Sequence, residues 1–188
     1  QTHMYNYHST LEATHPFESP WYQWPLDIRN VWYYGNYSAD SEGHIRTISV
    51  LGNPLFFWAC VPATVYAFVR AVKRHSRTAL VCVIGFLSAY LPWVLVPRCT
   101  FIYHYFTAVP FILIAFLIAY QRLEETASLR RVVFTKGAVT LTVGRILLLA
   151  CVLVHILMFI AFYPVLTGTL TTQNYANALE WLPSWFFI

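Results

Sequence analysis

Charged side chains are scarce in this 188-residue chain: Asp, Glu, Lys and Arg make up 11% of it, where an ordinary soluble domain carries about a quarter. That shortage excludes a soluble domain and a disordered tail, and without a basic tail to meet a polyanion it excludes a nucleic-acid module. Cysteine is sparse as well. Cys60, Cys82, Cys99 and Cys151 show neither metal-ligand spacing nor the density that staples small secreted folds, so they read as buried thiols acting as small hydrophobes. The start of the chain has no basic stretch leading into an apolar core, as a signal peptide would. A chain opening on Gln1 and a polar, aromatic first segment is expected to be a fragment whose N-terminal half lies elsewhere. There is also no Ser-His-Asp arrangement, phosphate-cradling glycine loop, HExxH motif, internal repeat or low-complexity stretch.

What is present is apolar. Hydrophobic residues make up 58% and aromatics 18%, and the mean hydropathy is +0.52. Crossing a hydrocarbon core takes roughly 20 apolar residues in a helix whose backbone groups bond to one another. Four stretches qualify: Pro54 to Val72, Ala79 to Val96, Phe101 to Tyr120, and Leu141 to Tyr163 ahead of Pro164. The expected fold is therefore all-α and integral to a membrane. Residues 1–50 form an interfacial aromatic segment and 51–188 a four-helix transmembrane region with a C-terminal tail. Val31 to Tyr37 and His44 to Val50 are β-branched and aromatic runs flanking the polar cluster 38–43, which predicts one short β-hairpin.

Basic residues set the orientation, because Lys and Arg in short loops mark the cytoplasmic side. The first inner loop carries Lys73, Arg74 and Arg77, and the second carries Arg122, Arg130, Arg131 and Lys136. The opposite face receives residues 1–50, the connector Pro97 to His104 and the tail from Pro164. It has Arg29, Arg46 and Arg98 as its cations, along with Glu12, Glu18, Asp27, Asp40, Glu42 and Glu180. Both termini are thus expected outside the cytoplasm. Trp21, Trp24, Trp32, Trp181 and Trp185 are aromatics of the kind that seat at headgroup level.

Two constellations could carry chemistry. The connector Pro97-Arg98-Cys99-Thr100-Phe101-Ile102-Tyr103-His104-Tyr105 sets one arginine, one histidine and two tyrosines at the outer boundary. Arg98 can snorkel to headgroups, or it can fork onto the phosphate of a lipid-linked substrate. The second runs from His15 to Arg29, where Pro16, Pro20 and Pro25 forbid one long helix and hold Trp21, Trp24, Glu18 and Asp27 at the interface. It reads either as an aromatic anchor or as part of a binding site. His155 lies mid-span, roughly 12 Å by helix rise from the outer end where His104 sits, so the two do not share a haem. A helix-to-helix hydrogen bond is its expected role. Arg145 snorkels inward, and Asp40 and Glu42 lie in a solvated turn.

These residues also carry a resemblance. Tyr5-Asn6-Tyr7-His8, His15-Pro16-Phe17, Ser19-Pro20-Trp21-Tyr22-Gln23-Trp24-Pro25 and Arg29 to Tyr34 resemble the C-terminal four-helix region of protein O-mannosyltransferases, especially bacterial ones. So do Leu51-Gly52-Asn53-Pro54, Pro97-Arg98, Tyr103-His104-Tyr105 and Trp181-Leu182-Pro183. Phe17 stands where tyrosine is common and Asn30 where proline is common. The resemblance implies a GT-C glycosyltransferase moving mannose from a polyprenyl or dolichyl phosphate to Ser or Thr of exported proteins, in a bacterial cell membrane. On that reading Arg98, His104, Tyr103 and Tyr105 hold the donor phosphate, and His15, Trp21, Trp24 and Arg29 line the substrate. The resemblance implies no cofactor and leaves a metal requirement open. It also places the catalytic acid in the missing N-terminal half, so that the fragment alone is inactive. A non-catalytic membrane scaffold, and a related lipid-linked glycosyltransferase with another sugar or acceptor, remain alternatives.

Overall fold

The structure, a computed structural model, describes residues 2–4, 7, 14–36, 43–137 and 139–188. Most of the run from Thr2 to Ala13, and the turn 37–42 with Asp40 and Glu42, lie outside the described residues. The elements are β1 (Val31–Gly35), β2 (His44–Ile45), β3 (Thr47–Val50), α1 (Pro54–Lys73), α2 (Arg77–Tyr90), α3 (Val109–Glu124), α4 (Ala127–Arg130), β4 (Val132–Lys136), β5 (Val139–Thr142), α5 (Val143–Thr167), β6 (Thr171–Thr172) and α6 (Gln173–Ala178). Three 3-10 turns, Trp21–Leu26, Leu91–Leu95 and Ile102–Ala108, complete the order. With the turns that adjoin α2 and α3, four helical stretches are long and apolar enough to cross a membrane: Pro54–Lys73, Arg77–Leu95, Ile102–Glu124 and Val143–Thr167.

Local chemistry explains their limits. Asn53 caps α1 by accepting from the Phe56 N–H at 3.3 Å, with Pro54 in the first turn. Ser76 and Thr142 cap α2 and α5 in the same way. The fourth spanning helix, α5, runs through Pro164 rather than ending before it, and stops where Gly168 takes the left-handed backbone at φ 72°.

Helices α1, α2 and α3 meet through small side chains. Ala67, Ala71, Ala79, Cys82 and Ala115 form one buried seam, and a Cβ on Gly85 would lie 2.1 Å from the Phe111 ring. Without a hydrophobic drive between helices in lipid, such close approach is what holds them together. By contrast, only 6% of the apolar stretch of α5 is buried.

The expected hairpin is present. β1 pairs antiparallel with β3, Val31 opposite Val50 and Gly35 opposite Thr47. Its second arm is split, however, because His44 and Ile45 pair with Thr172 and Thr171. A second hairpin, β4 with β5, follows α4. Cys60 and Cys82 are buried as expected, whereas Cys99 and Cys151 are only partly so.

Candidate functional site

The aromatic end of the bundle is built around Ser19, which is buried. Its N–H donates to the Thr100 carbonyl at 2.8 Å. Its own carbonyl accepts from the Thr100 hydroxyl at 2.8 Å and from the Trp24 indole at 3.1 Å. This clasp joins the proline-rich segment to the connector before α3. Beside it, Arg98 lines a cavity of about 420 Å³ with Glu18, Trp21, Trp93, Cys99 and Thr100.

The 3-10 turn Ile102–Ala108 sorts the connector's side chains. Its three residues per turn stack Ile102, Tyr105 and Ala108 in one row, and all three are buried. Tyr105, expected beside Arg98, instead packs in the core with ring centroids 5.4 Å from Phe57 and 5.3 Å from Tyr90. Tyr103 and His104 lie on other faces, half-buried. Tyr103 stacks on Phe101 at 5.3 Å, and His104 sits 4.0 Å from Trp93 and 4.5 Å from Tyr103. The Phe101 N–H lies 3.1 Å from His104 Nδ1, which orients the ring.

Of the residues expected to line substrate, Trp21 does face the cavity. Trp24 is fully buried, so it supports the wall without lining it. Sequence could not show this, because its neighbours Tyr90, Trp93 and His104 are distant in the chain. His15 is exposed and packs edge-on against Phe101 at 5.1 Å. Arg29 turns back to the Glu18 carbonyl at 3.4 Å. Glu18, at the interface in the sequence reading but given no role there, reaches Cys99 with its carboxylate and by that hydrogen bond raises the thiol pKa.

A further group lies beneath this surface. Asp27 is fully buried in a left-handed backbone at φ 54°. One carboxylate oxygen accepts from the Gly52 N–H at 3.1 Å, and the other has no hydrogen-bond partner among the described residues. Burial pushes its pKa from 3.8 up to about 7, partly offset by the Gly52 hydrogen bond. The C-terminal tail closes over this region. Trp185 donates to the Asp27 carbonyl, Ser184 to the Ile28 carbonyl, and Asn30 bonds the backbone of Phe186 in both directions.

His155 lies apart from this site. Its carbonyl accepts from the Asn53 amide at 3.1 Å, so the link between helices runs through the backbone, while its ring faces Cys151 of its own helix. Among the described residues, no group of three or more His, Cys, Asp or Glu is arranged to hold a metal ion.

Four apolar helices capped at one end by interlocked aromatic segments define a polytopic helical protein integral to the membrane. The family model for the C-terminal four TMM region of protein-O-mannosyltransferase matches residues 1–77 and 66–185, and the chain belongs to that family. Among its relatives, the polyprenol-phosphate-mannose–protein mannosyltransferase of Mycobacterium tuberculosis is 26% identical over 176 residues, covering 91% of this chain and 32% of that protein. The protein of the same description from Corynebacterium glutamicum is 27% identical over 187 residues, covering 95% and 35%. The chain thus spans about a third of the length of these relatives. The fold is also that of a chain in the S. cerevisiae protein O-mannosyltransferase Pmt1–Pmt2 complex bound to the sugar donor. That match has a TM-score of 0.75 and 21% identity, covering 99% of this chain and 26% of the other.

Proposed function

We propose that this chain is the donor-holding part of an enzyme that moves mannose from a polyprenyl-phosphate carrier to Ser or Thr hydroxyls of exported proteins. The observation that carries the reading is the cavity on Arg98, open at the seam between the proline-rich segment and the connector. The names of the family's relatives supply the chemistry that such a cavity would serve.

The leaving group in this transfer is a lipid phosphate, and negative charge grows on it as the bond to the sugar breaks. A guanidinium held in place offers two parallel hydrogen bonds to phosphate oxygens and stabilises that charge most where water is scarce. Tyr103 and His104 lie outside the lining of that cavity and would serve as further donors only to a phosphate reaching past Trp93, while Trp21 offers an aromatic face to the sugar. Tyr105 and Trp24 position this group from the core. The acid or base that activates the hydroxyl is expected outside this chain.

The segregation of Lys73, Arg74, Arg130, Arg131 and Lys136 away from the aromatic end supports an orientation with that end outside the cytoplasm of a bacterial cell. In the full-length enzyme, Arg98→Ala is expected to weaken lipid-donor binding and slow mannosyl transfer. Unchanged binding and rate would remove Arg98 from the site.

A further inference from the structure

The end of the bundle opposite Arg98 carries a second built feature. The last two turns of α1 and its cap bring Tyr66, Arg70, Lys73 and Arg74 to face Arg122 and Glu125 at the end of α3, around a cavity of about 520 Å³. Four of those side chains are cationic and one is anionic. The single carboxylate is engaged, since Glu125 pairs with Arg122 at 2.6 Å, and Arg122 holds it below the usual carboxylate range. Arg70 differs from a cation that merely snorkels. Its Nη1 lies 3.5 Å from the Tyr66 hydroxyl, and its Nε is buried with no hydrogen-bond partner among the described residues.

Directly below, a second cavity of about 300 Å³ continues between α1 and α3. Tyr66 and Arg122 line both cavities. The lower one is almost wholly apolar, because Ala59, Pro62, Ala63 and Ala119 leave space that longer side chains would fill. It reaches Phe116, which also borders a third, apolar cavity of about 540 Å³ extending to Val109 and α5. By helix rise the path along α3 is about 9 Å from Arg122 to Phe116 and about 20 Å to Val109. One leaflet of a hydrocarbon core is about 15 Å deep.

A cationic cavity opening into an apolar groove of leaflet depth has the shape and charge of one ligand class. We propose that this is a binding site for an anionic phospholipid of the adjoining leaflet. Its phosphate sits among Arg70, Lys73, Arg74 and Arg122, and one acyl chain lies in the groove between α1 and α3. A free phosphate would use the cations and leave the groove empty. A zwitterionic lipid would bring its own cation to a cavity that already has four. The site lies at the far end of the bundle from Arg98, so it stands or falls separately from the donor reading.

The test uses purified full-length protein in detergent, titrated with phosphatidylglycerol, phosphatidylcholine or glycerol phosphate and read by native mass spectrometry. Thermal melting and lipid-donor binding serve as folding controls. One phosphatidylglycerol is expected to stay bound and phosphatidylcholine is not. Each cation removed, by Arg70→Gln or Arg122→Gln, is expected to weaken it about fivefold. Ala119→Phe, which fills the groove without touching charge, is expected to weaken it too, whereas Lys136→Gln, on the hairpin at the same end, is not. Equal retention of the two lipids, or no lipid retained at all because other parts of the protein cover the groove, would overturn the proposal. So would binding of glycerol phosphate alone with Ala119→Phe neutral, which would assign a soluble anion site.

Discussion

The indole N–H of Trp185 donates to the backbone carbonyl of Asp27 at 2.7 Å, across 158 positions of sequence. That bond fixes the C-terminal tail to the backbone of a residue whose carboxylate, in turn, accepts from the Gly52 N–H just ahead of α1.

Because Asp27 is raised from 3.8 to about 7 in the folded chain, the folded state holds a proton that the unfolded state releases over that interval. Stability is then greatest below pH 3.8 as far as this group is concerned, and falls as pH rises toward about 7. Asp27→Asn keeps an acceptor for Gly52 and tolerates the left-handed backbone. It is expected to flatten that slope in thermal unfolding followed across pH. An unchanged slope would show that Asp27 is not the titrating group.

Gly85 admits the Phe111 ring where a Cβ would meet it at 2.1 Å. Gly85→Val is expected to cost about 1–3 kcal/mol by overpacking, with part of the loss recovered in combination with Phe111→Leu. Thermal stability of the single and double variants in detergent measures both.

Ser19 receives two side-chain donors on one carbonyl. Trp24→Phe or Thr100→Val leaves one of them in place, and each is expected to cost about 1 kcal/mol in hydrogen bonding. The double variant leaves a buried carbonyl with neither, so its loss should exceed the sum of the two. Because the clasp supports the wall around Arg98, the KM for lipid donor is expected to rise in parallel.

Tyr103 and Tyr105, two positions apart, should separate site from core. Tyr105→Ala removes a buried ring and is expected to cost about 3–5 kcal/mol. Tyr103→Ala, which removes a half-buried ring, should cost clearly less stability than that and weaken donor binding. Equal losses of stability would place both tyrosines in the core.

Much of this architecture was legible in the sequence because its physics is local. An apolar run of spanning length declares a membrane helix, Asn53 before Pro54 declares a helix start, and the polar break between two β-branched runs declares a hairpin. The connector was found for the same reason, since its arginine, histidine and tyrosines are adjacent in the chain. Their facing was not legible: it depends on whether Ile102 to Ala108 winds three residues to the turn, and that winding sends Tyr105 inward. Asp27 was seen only as one polar residue in an interfacial segment, because what buries it comes from Gly52 and Trp185, far along the chain. The β4–β5 hairpin is not legible because the apolar run of the fourth span, α5, extends back to Leu141, inside β5. The pairing of His44 and Ile45 with Thr171 and Thr172 joins segments too distant for any local pattern to reveal.

The tail that grips residues 27–30 is synthesised after all four helices. Asn30 and the Asp27 carbonyl therefore gain these partners only once the chain beyond the fourth helix has been made. A chain stalled before Ser184 would thus leave the aromatic cap open, with Asn30 and the Asp27 and Ile28 carbonyls lacking the partners that the tail supplies.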